Sequence, residues 1–304
     1  DSSYLLNTLR VFWSEAPSNL TRILDVAQDL RILDAVLEMQ PFQFALDVAS
    51  LASRREYLNL GKWLQDHISQ HGEPFIHACL EFLDNKVNEE QSASDVPEAA
   101  AANMPLTIYT VAIFLRVLRS HGEDMKEEDI EYFKAVRNLC LQLHPRLMNL
   151  APGSEGQEPG MQVVSFSTDT QEETDDWYRQ MYSEKITVAE VVELLKRTKS
   201  SSSEHDRQLF ACLVHTLFDE YRCLEVDYPP RELSIAATIF GSLIQHELID
   251  YIPLGIAIRY VLDALRHPPH SNLFSFGVQA LKCFQRRLAE WPQLGQALLA
   301  IPHI

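Results

Sequence analysis

A chain of 304 residues, at roughly 100 to 200 residues per domain, is long enough for two domains, each able to bury a core without disulfides or metals. Apolar residues make up 46 % and charged residues 23 %, and only 10 Gly and 15 Pro are present, which excludes collagen-like, disulfide-miniprotein and broadly disordered classes. The 43 acids against 26 bases give a formal charge of -17, which opposes non-specific binding to nucleic acid or to an anionic membrane.

Apolar residues recur at spacings of three and four almost throughout, so the expected elements are helices. Residues 4 to 13 place Leu5, Leu6, Leu9, Phe12 and Trp13 on one side. A second stretch opens at Ser18 as an N-cap, carries Leu20, Ile23, Leu24, Ala27, Leu30, Leu33, Val36 and Leu37, and stops before Pro41, as one helix or two. Pro41 then suits the first turn of a helix through Leu51. Asn59 caps the next one, which runs to His71 and is ended by Gly72, and Pro74 starts another to about Leu83. The pattern fades from Asp84 to Asn103 into a polar, alanine-rich link. It resumes in helices at about 105 to 120 and 126 to 144, with Glu127, Glu128 and Asp129 at a helix start that favours negative charge.

Residues 151 to 168 concentrate Gly, Pro and Ser, the composition of a flexible tether. The expected division is therefore a first domain over 1 to 150, a linker over 151 to 168, and a second domain over 169 to 304. The second half opens with a helix around Glu172 to Tyr182. Thr187 and Glu190 form a capping box for Val188 to Lys196. Helices follow at about 204 to 223, 231 to 246, 253 to 266, 272 to 289 and 293 to 300, with Pro230, Pro253 and Ser271 near their starts. Repeated helices joined by short turns are what a stacked helical-repeat protein needs. The excess charge lies in the connecting regions: 84 to 131 and 151 to 185 carry about -7 and about -6, and 186 to 304 about -2.

Cys79, Cys140, Cys212, Cys223 and Cys283 are far apart and form no CxxC pair, as expected of thiols in a reducing compartment. A cytosolic or nuclear address follows. The first residues carry no signal-peptide pattern and read as a helix already under way, so an excised fragment is expected.

Chemistry-bearing patterns are few. His67 and His71 have the spacing of two zinc ligands, but no glutamate follows His67 directly and the sequence shows no third ligand. They read as solvated or locally hydrogen-bonded histidines. His267 and His270 flank two prolines and read as a turn. Cys212 with His215 reads as helix packing, and no nucleophile elbow or phosphate-binding glycine loop occurs. Asn19-Leu20-Thr21 matches a glycosylation sequon only by letters. Arg54-Arg55 and Arg286-Arg287 lack interleaved aromatics and read as solvated faces rather than an RNA site. No enzyme activity, metal or cofactor is expected. Aromatic and apolar residues collect instead near turns of the second half, at Tyr221, Leu224 and Tyr228 and at Phe274 and Phe276. Such places in helical repeats offer docking grooves.

Residues 44 to 83, FALDVASLASRREYLNLGKWLQDHISQHGEPFIHACLEFL, closely resemble a segment of the large scaffold subunits of the Ccr-Not mRNA deadenylase complex. Residues 191 to 222, 230 to 244, 254 to 268 and 276 to 288 follow in that family's order. The blocks cover about half the chain, and residues 84 to 170 lie outside the resemblance. It implies an all-α fold of HEAT-like repeats, an α-solenoid, with the end of an N-terminal HEAT array followed by a domain like the one that receives a tristetraprolin peptide in animals. It points to a fungal member. Animal members carry two aromatics where this chain has Cys223-Leu224, and Tyr-Tyr-Phe where it has Phe274-Ser275-Phe276; Tyr228 and Phe276 match. The implied function is a non-catalytic scaffold, cytoplasmic and also nuclear, that joins other Ccr-Not subunits. It docks peptides of RNA-binding decay factors around Tyr221, Leu224, Tyr228, Phe274 and Phe276, with no direct nucleic-acid or membrane contact. A direct RNA-binding helical repeat is the alternative, and a hydrolase ranks third.

Overall fold

A computed structural model describes residues 2–94, 104–154, 157–226 and 228–304. Among these residues there is no strand. The chain divides into two compact units, Asp1–Leu147 with Gly160–Val163, and Met148–Pro159 with Val164–Ile304.

The first unit holds α1 (Ser2–Glu15), α2 (Leu20–Asp29), α3 (Leu33–Leu37), α4 (Phe42–Arg54), α5 (Leu60–His71), α6 (Glu73–Ser94), α7 (Ile108–Ser120) and α8 (Glu127–Leu143). Ser18 does not cap α2. The Asn19 side-chain amide donates to the Phe12 carbonyl at 2.6 Å, which ties the turn Pro17–Asn19 back to α1 and starts α2 at Leu20. The stretch to Pro41 is broken at Arg31, whose φ of 55° is left-handed, so α2 and α3 are separate helices. Asn59 caps α5 as expected, its side chain accepting from the Lys62 N–H at 3.1 Å.

The expected link after Leu83 begins later than the sequence suggested, because α6 continues to Ser94. Val87 is buried, and the polar residues around it make long-range bonds. Lys86 Nζ lies 2.9 Å from Asp47 of α4. Asp47 also accepts from the Trp13 indole N–H at 2.8 Å, and the Tyr132 hydroxyl of α8 donates to Asp84 at 2.9 Å. The rest of the expected link, 95–103, lies outside the described residues.

The second unit holds α9 (Thr168–Tyr182), α10 (Val188–Ser200), α11 (Glu204–Glu220), α12 (Pro230–Gln245), α13 (Tyr251–Leu265), α14 (Asn272–Phe284) and α15 (Pro292–Leu299). The Thr187–Glu190 capping box is formed in both directions, and the Ser271 Oγ accepts from the Phe274 N–H at 3.1 Å.

Helices separated by one other stack on each other within each unit. In the first, α2 packs on α4, α4 on α6, and α6 on α8, while α5 packs on α7. In the second, α9 packs on α11, α10 on α12, and α12 on α14. Contacts between a helix and the next but one make two layers of stacked helices, the arrangement of an α-solenoid. The most extensive pair is α12 with α14. Gly241 of α12 permits it: a Cβ there would stand 2.5 Å from the Ala280 carbonyl oxygen and 2.7 Å from Cys283 Cβ of α14.

The segment expected as a tether, 151 to 168, is shared between the units. Residues through Pro159 belong to the second, where Ser154 is buried and Arg207 donates to the Pro152 carbonyl. Gly160–Val163 belong to the first, where the Gly160 N–H donates to the Leu147 carbonyl at 2.8 Å. Gly160 has a φ of 90° and lies against Leu115, a place open only to glycine. Residues 155 and 156 lie outside the described residues. Cys79, Cys140 and Cys212 are buried, Cys283 is half-buried, and Cys223 is exposed. No helix among the described residues is long and apolar enough to cross a membrane.

Candidate functional site

α11 ends at Glu220, and a 3-10 turn over Tyr221–Cys223 carries the chain toward Pro229 and Pro230. Pro230 opens α12, where its missing N–H costs nothing. This turn directs Tyr221 inward. Its ring stacks on Tyr260 of α13 with centroids 4.4 Å apart and planes 15° from parallel. It also meets Phe276 of α14 edge-on at 5.7 Å. Phe276 in turn meets Phe240 of α12 at 5.3 Å. Burial raises the Tyr221 hydroxyl above its ordinary value.

Leu224 and Phe276 are 1 % and 2 % exposed. They stand in the core, behind the surface on which the sequence places them; Phe276 faces α12 through Phe240, and Leu224 follows the 3-10 turn into the interior. Tyr221, Tyr228 and Phe274 are half-buried. Tyr228 belongs to a polar group: its hydroxyl lies 3.2 Å from Glu220 and 3.1 Å from the Tyr182 hydroxyl. The Tyr182 hydroxyl donates to Glu220 at 2.7 Å. Burial pushes the Tyr228 hydroxyl up to about 12. It also raises Glu220, against the lowering effect of the two tyrosine hydrogen bonds. Phe274 meets His303 edge-on at 5.2 Å. The structure therefore joins Tyr221 with Phe276 directly and places Tyr228 and Phe274 in two other groups of contacts.

One feature of the second unit escapes the sequence. A cleft opens between Leu150, Phe210, Lys199, Asp250 and Tyr251, among others. Lys199 lines it, donating to the Glu247 carbonyl at 2.7 Å and pairing with Asp250 at 3.1 Å. Tyr251 is 75 % exposed with a φ of 53°. One wall comes from residues that read as tether, so no local pattern marks it.

Cys212 and His215 are buried on α11, and the His215 ring lies 5.6 Å from Phe166. His267 to His270 form a turn. Arg55 pairs with Asp25 at 2.5 Å. Arg287 pairs with Glu290 at 2.7 Å and lies over the Trp291 ring. His67 and His71 do meet a third donor, Glu38, whose ligand atom lies within 4.8 Å of theirs. It lies 29 residues before His67 in the chain, so no spacing pattern could reveal it.

Residues 150–304 match the family described as the CCR4-NOT transcription complex subunit 1 TTP binding domain, and residues 1–119 match that subunit's HEAT repeat. The general negative regulator of transcription subunit 1 of Schizosaccharomyces pombe is 33 % identical over 99 % of this chain. The Saccharomyces cerevisiae protein of the same name is 25 % identical over 98 %. The CCR4-NOT transcription complex subunit let-711 of Caenorhabditis elegans is 32 % identical over 46 %. The chain spans only 14 %, 14 % and 5 % of those relatives. A solved structure, the N-terminal domain of the yeast Not1, shares the fold, with a TM-score of 0.52 at 22 % identity, over 99 % of this chain and 55 % of that one. With both halves matched in one order and the helices stacked as HEAT repeats require, the chain belongs to the CCR4-NOT transcription complex subunit 1 family.

Proposed function

We propose that this chain is a non-catalytic scaffold segment of a Ccr-Not complex, whose second unit docks a short amphipathic helical peptide of an RNA-binding decay factor. Docking raises the effective concentration of the complex's deadenylases at the recruited mRNA, in the cytoplasm and the nucleus. The observation that carries this reading is the match of residues 150–304 to a domain described as TTP binding, on a unit that presents half-buried aromatics.

The docking face is assigned to Tyr221, Tyr228 and Phe274, with Phe276 buried against Tyr221 and Leu224 buried in the core. A peptide helix would lay its i, i+3, i+4 and i+7 apolar side chains on such a face. Aromatic anchors in a desolvated contact are worth about 2 kcal/mol or more each. The charge of -17 and the pairing of Arg55 and Arg287 with carboxylates support a protein partner over direct RNA contact. The domain division, other Ccr-Not subunits as partners, and the lack of catalysis belong to the same proposal.

The test is a binding assay with a fluorescent amphipathic peptide from an RNA-binding decay factor. Phe274→Glu should abolish binding while helicity and melting temperature stay near those of the parent, and Tyr228→Glu should abolish it with a lowered melting temperature, because a carboxylate then replaces the hydroxyl bonded to Glu220. Tyr251→Glu, in the cleft, should leave binding intact. Loss of binding only in Tyr251→Glu moves the site to the cleft, and turnover of poly(A) by the purified chain refutes the scaffold reading.

A further inference from the structure

Glu38, His67 and His71 stand in the first unit, outside the proposed docking face. Glu38 is the residue that ends α3. His67 and His71 lie one turn apart on α5, so their side chains share a face. Their nearest ligand atoms all lie within 4.8 Å of one another.

His67 is 4 % exposed. Its Nδ1 lies 3.1 Å from the Trp63 carbonyl oxygen. A carbonyl only accepts, so Nδ1 carries the proton, and in the neutral ring Nε2 presents a lone pair. That Nε2 is buried without a hydrogen-bond partner. It nevertheless faces the Glu38 carboxylate, with Oε1 at 3.2 Å. A lone pair set against a carboxylate oxygen is repulsive unless a positive centre lies between them. A proton would serve for that pair alone, but a second imidazole, His71, converges on the same place.

We propose that Glu38, His67 and His71 bind a zinc ion, with solvent as the fourth ligand. Two imidazoles and one carboxylate are a zinc donor set, whereas magnesium and calcium call for oxygen ligands. Zinc ligands at about 2.0 to 2.1 Å in a tetrahedron stand about 3.3 Å apart, which the Glu38–His67 separation already meets. The wider separations close by rotation of Glu38 and His71, which are exposed and half-buried at helix ends. The Nδ1–H to carbonyl bond of His67 is the outer contact that fixes a metal-binding tautomer. Trp63 at 4.2 Å and Phe75 at 5.4 Å flank the His67 ring, and Phe42 lies 5.1 Å from the His71 ring. These rings make an apolar wall that holds both imidazoles. The ion would join the end of α3 to the last turn of α5.

The test uses the 304-residue chain with Cys223→Ser, which removes the exposed thiol as a competing ligand, stripped with chelator and titrated with zinc chloride. Expected are one zinc per chain, a rise in melting temperature with zinc and none with magnesium. Cobalt(II) should give the visible absorption of tetrahedral coordination. Glu38→Gln and His71→Gln should each weaken zinc binding by at least about ten-fold, with the chelator-treated melting temperature within about 2 °C of the parent, as suits surface substitutions. If His71→Gln unfolds, Glu38→Gln at its exposed site still decides. Absence of zinc binding, or zinc binding retained in both variants, overturns the proposal. A His67 ring protonated on both nitrogens in the zinc-treated chain, seen by nitrogen NMR, would do so too, since a proton would then fill the gap.

Discussion

Tyr221 lies flat on Tyr260 at 4.4 Å and donates its hydroxyl to the Tyr260 carbonyl at 3.1 Å. One residue thus closes the end of α11 onto the middle of α13 by both its ring and its polar tip. Tyr221→Ala should cost about 3 kcal/mol, as truncations of packed aromatics do. Tyr221→Phe should cost about 1 kcal/mol at most, because the Tyr260 carbonyl lies within α13 and keeps a helical donor. Urea denaturation of the two variants measures the difference. Equal costs would show that the hydroxyl, not the ring, matters.

Gly241 and Gly255 both sit inside helices and should respond oppositely to alanine. At Gly241 a Cβ would meet backbone and Cβ atoms of α14 at 2.5 to 3.0 Å. Gly241→Ala must spread the α12–α14 pair, at about 2 kcal/mol. Gly255 has nothing within 4 Å, so Gly255→Ala should stabilise α13 by up to about 1 kcal/mol. Thermal melts of the two variants should move in opposite directions.

Asp47 accepts from Trp13 and pairs with Lys86, and the two charged side chains are only 13 % and 15 % exposed. Asp47→Ala leaves a sheltered ammonium unpaired and should cost about 3 kcal/mol. Asp47→Leu combined with Lys86→Met removes both charges and should recover most of that loss. A double-mutant cycle in denaturant checks this, and a double variant no more stable than Asp47→Ala would contradict it.

Glu220 titrates with a defined sign. Burial raises its carboxyl in the folded state above the ordinary value of 4.5. As pH rises through the interval between the ordinary and the raised value, the unfolded chain releases this proton first, so the fold loses stability from this site. Below the ordinary value the penalty is absent. Glu220→Gln, which keeps an oxygen for Tyr182 and Tyr228, should match the parent in acid and gain on it toward neutral pH. Melting temperatures of both proteins from pH 4 to 7 test the prediction, and parallel curves refute it.

Helix starts were legible where a single side chain makes the cap: Asn59, Thr187 with Glu190, and Ser271 each accept the N–H that their position implies. Ser18 failed as a cap because the Asn19 amide reaches back to α1, a tertiary bond that local pattern does not contain. The polar run after Leu83 hid the end of α6 for the same reason. Asp84 and Lys86 look solvent-bound in sequence, yet are held by Tyr132 and Asp47. Around the candidate docking face, the sequence identified the aromatics but not their depth. Phe274 and Phe276 are two residues apart, and only the packing of α14 on α12 separates a half-buried ring from one 2 % exposed.

The uneven depth of the five cysteines makes this chain a ready optical probe. Thiolates react with maleimides and thiols do not. Burial pushes the Cys140 thiol up to about 12 and raises Cys79 and Cys283 as well, and Cys212 is shut inside α11. Cys223 alone among the five is exposed. A dye added at low excess should attach there, two residues after Tyr221 and one before Leu224, and report a peptide's arrival by its colour and brightness without altering any residue of the docking face.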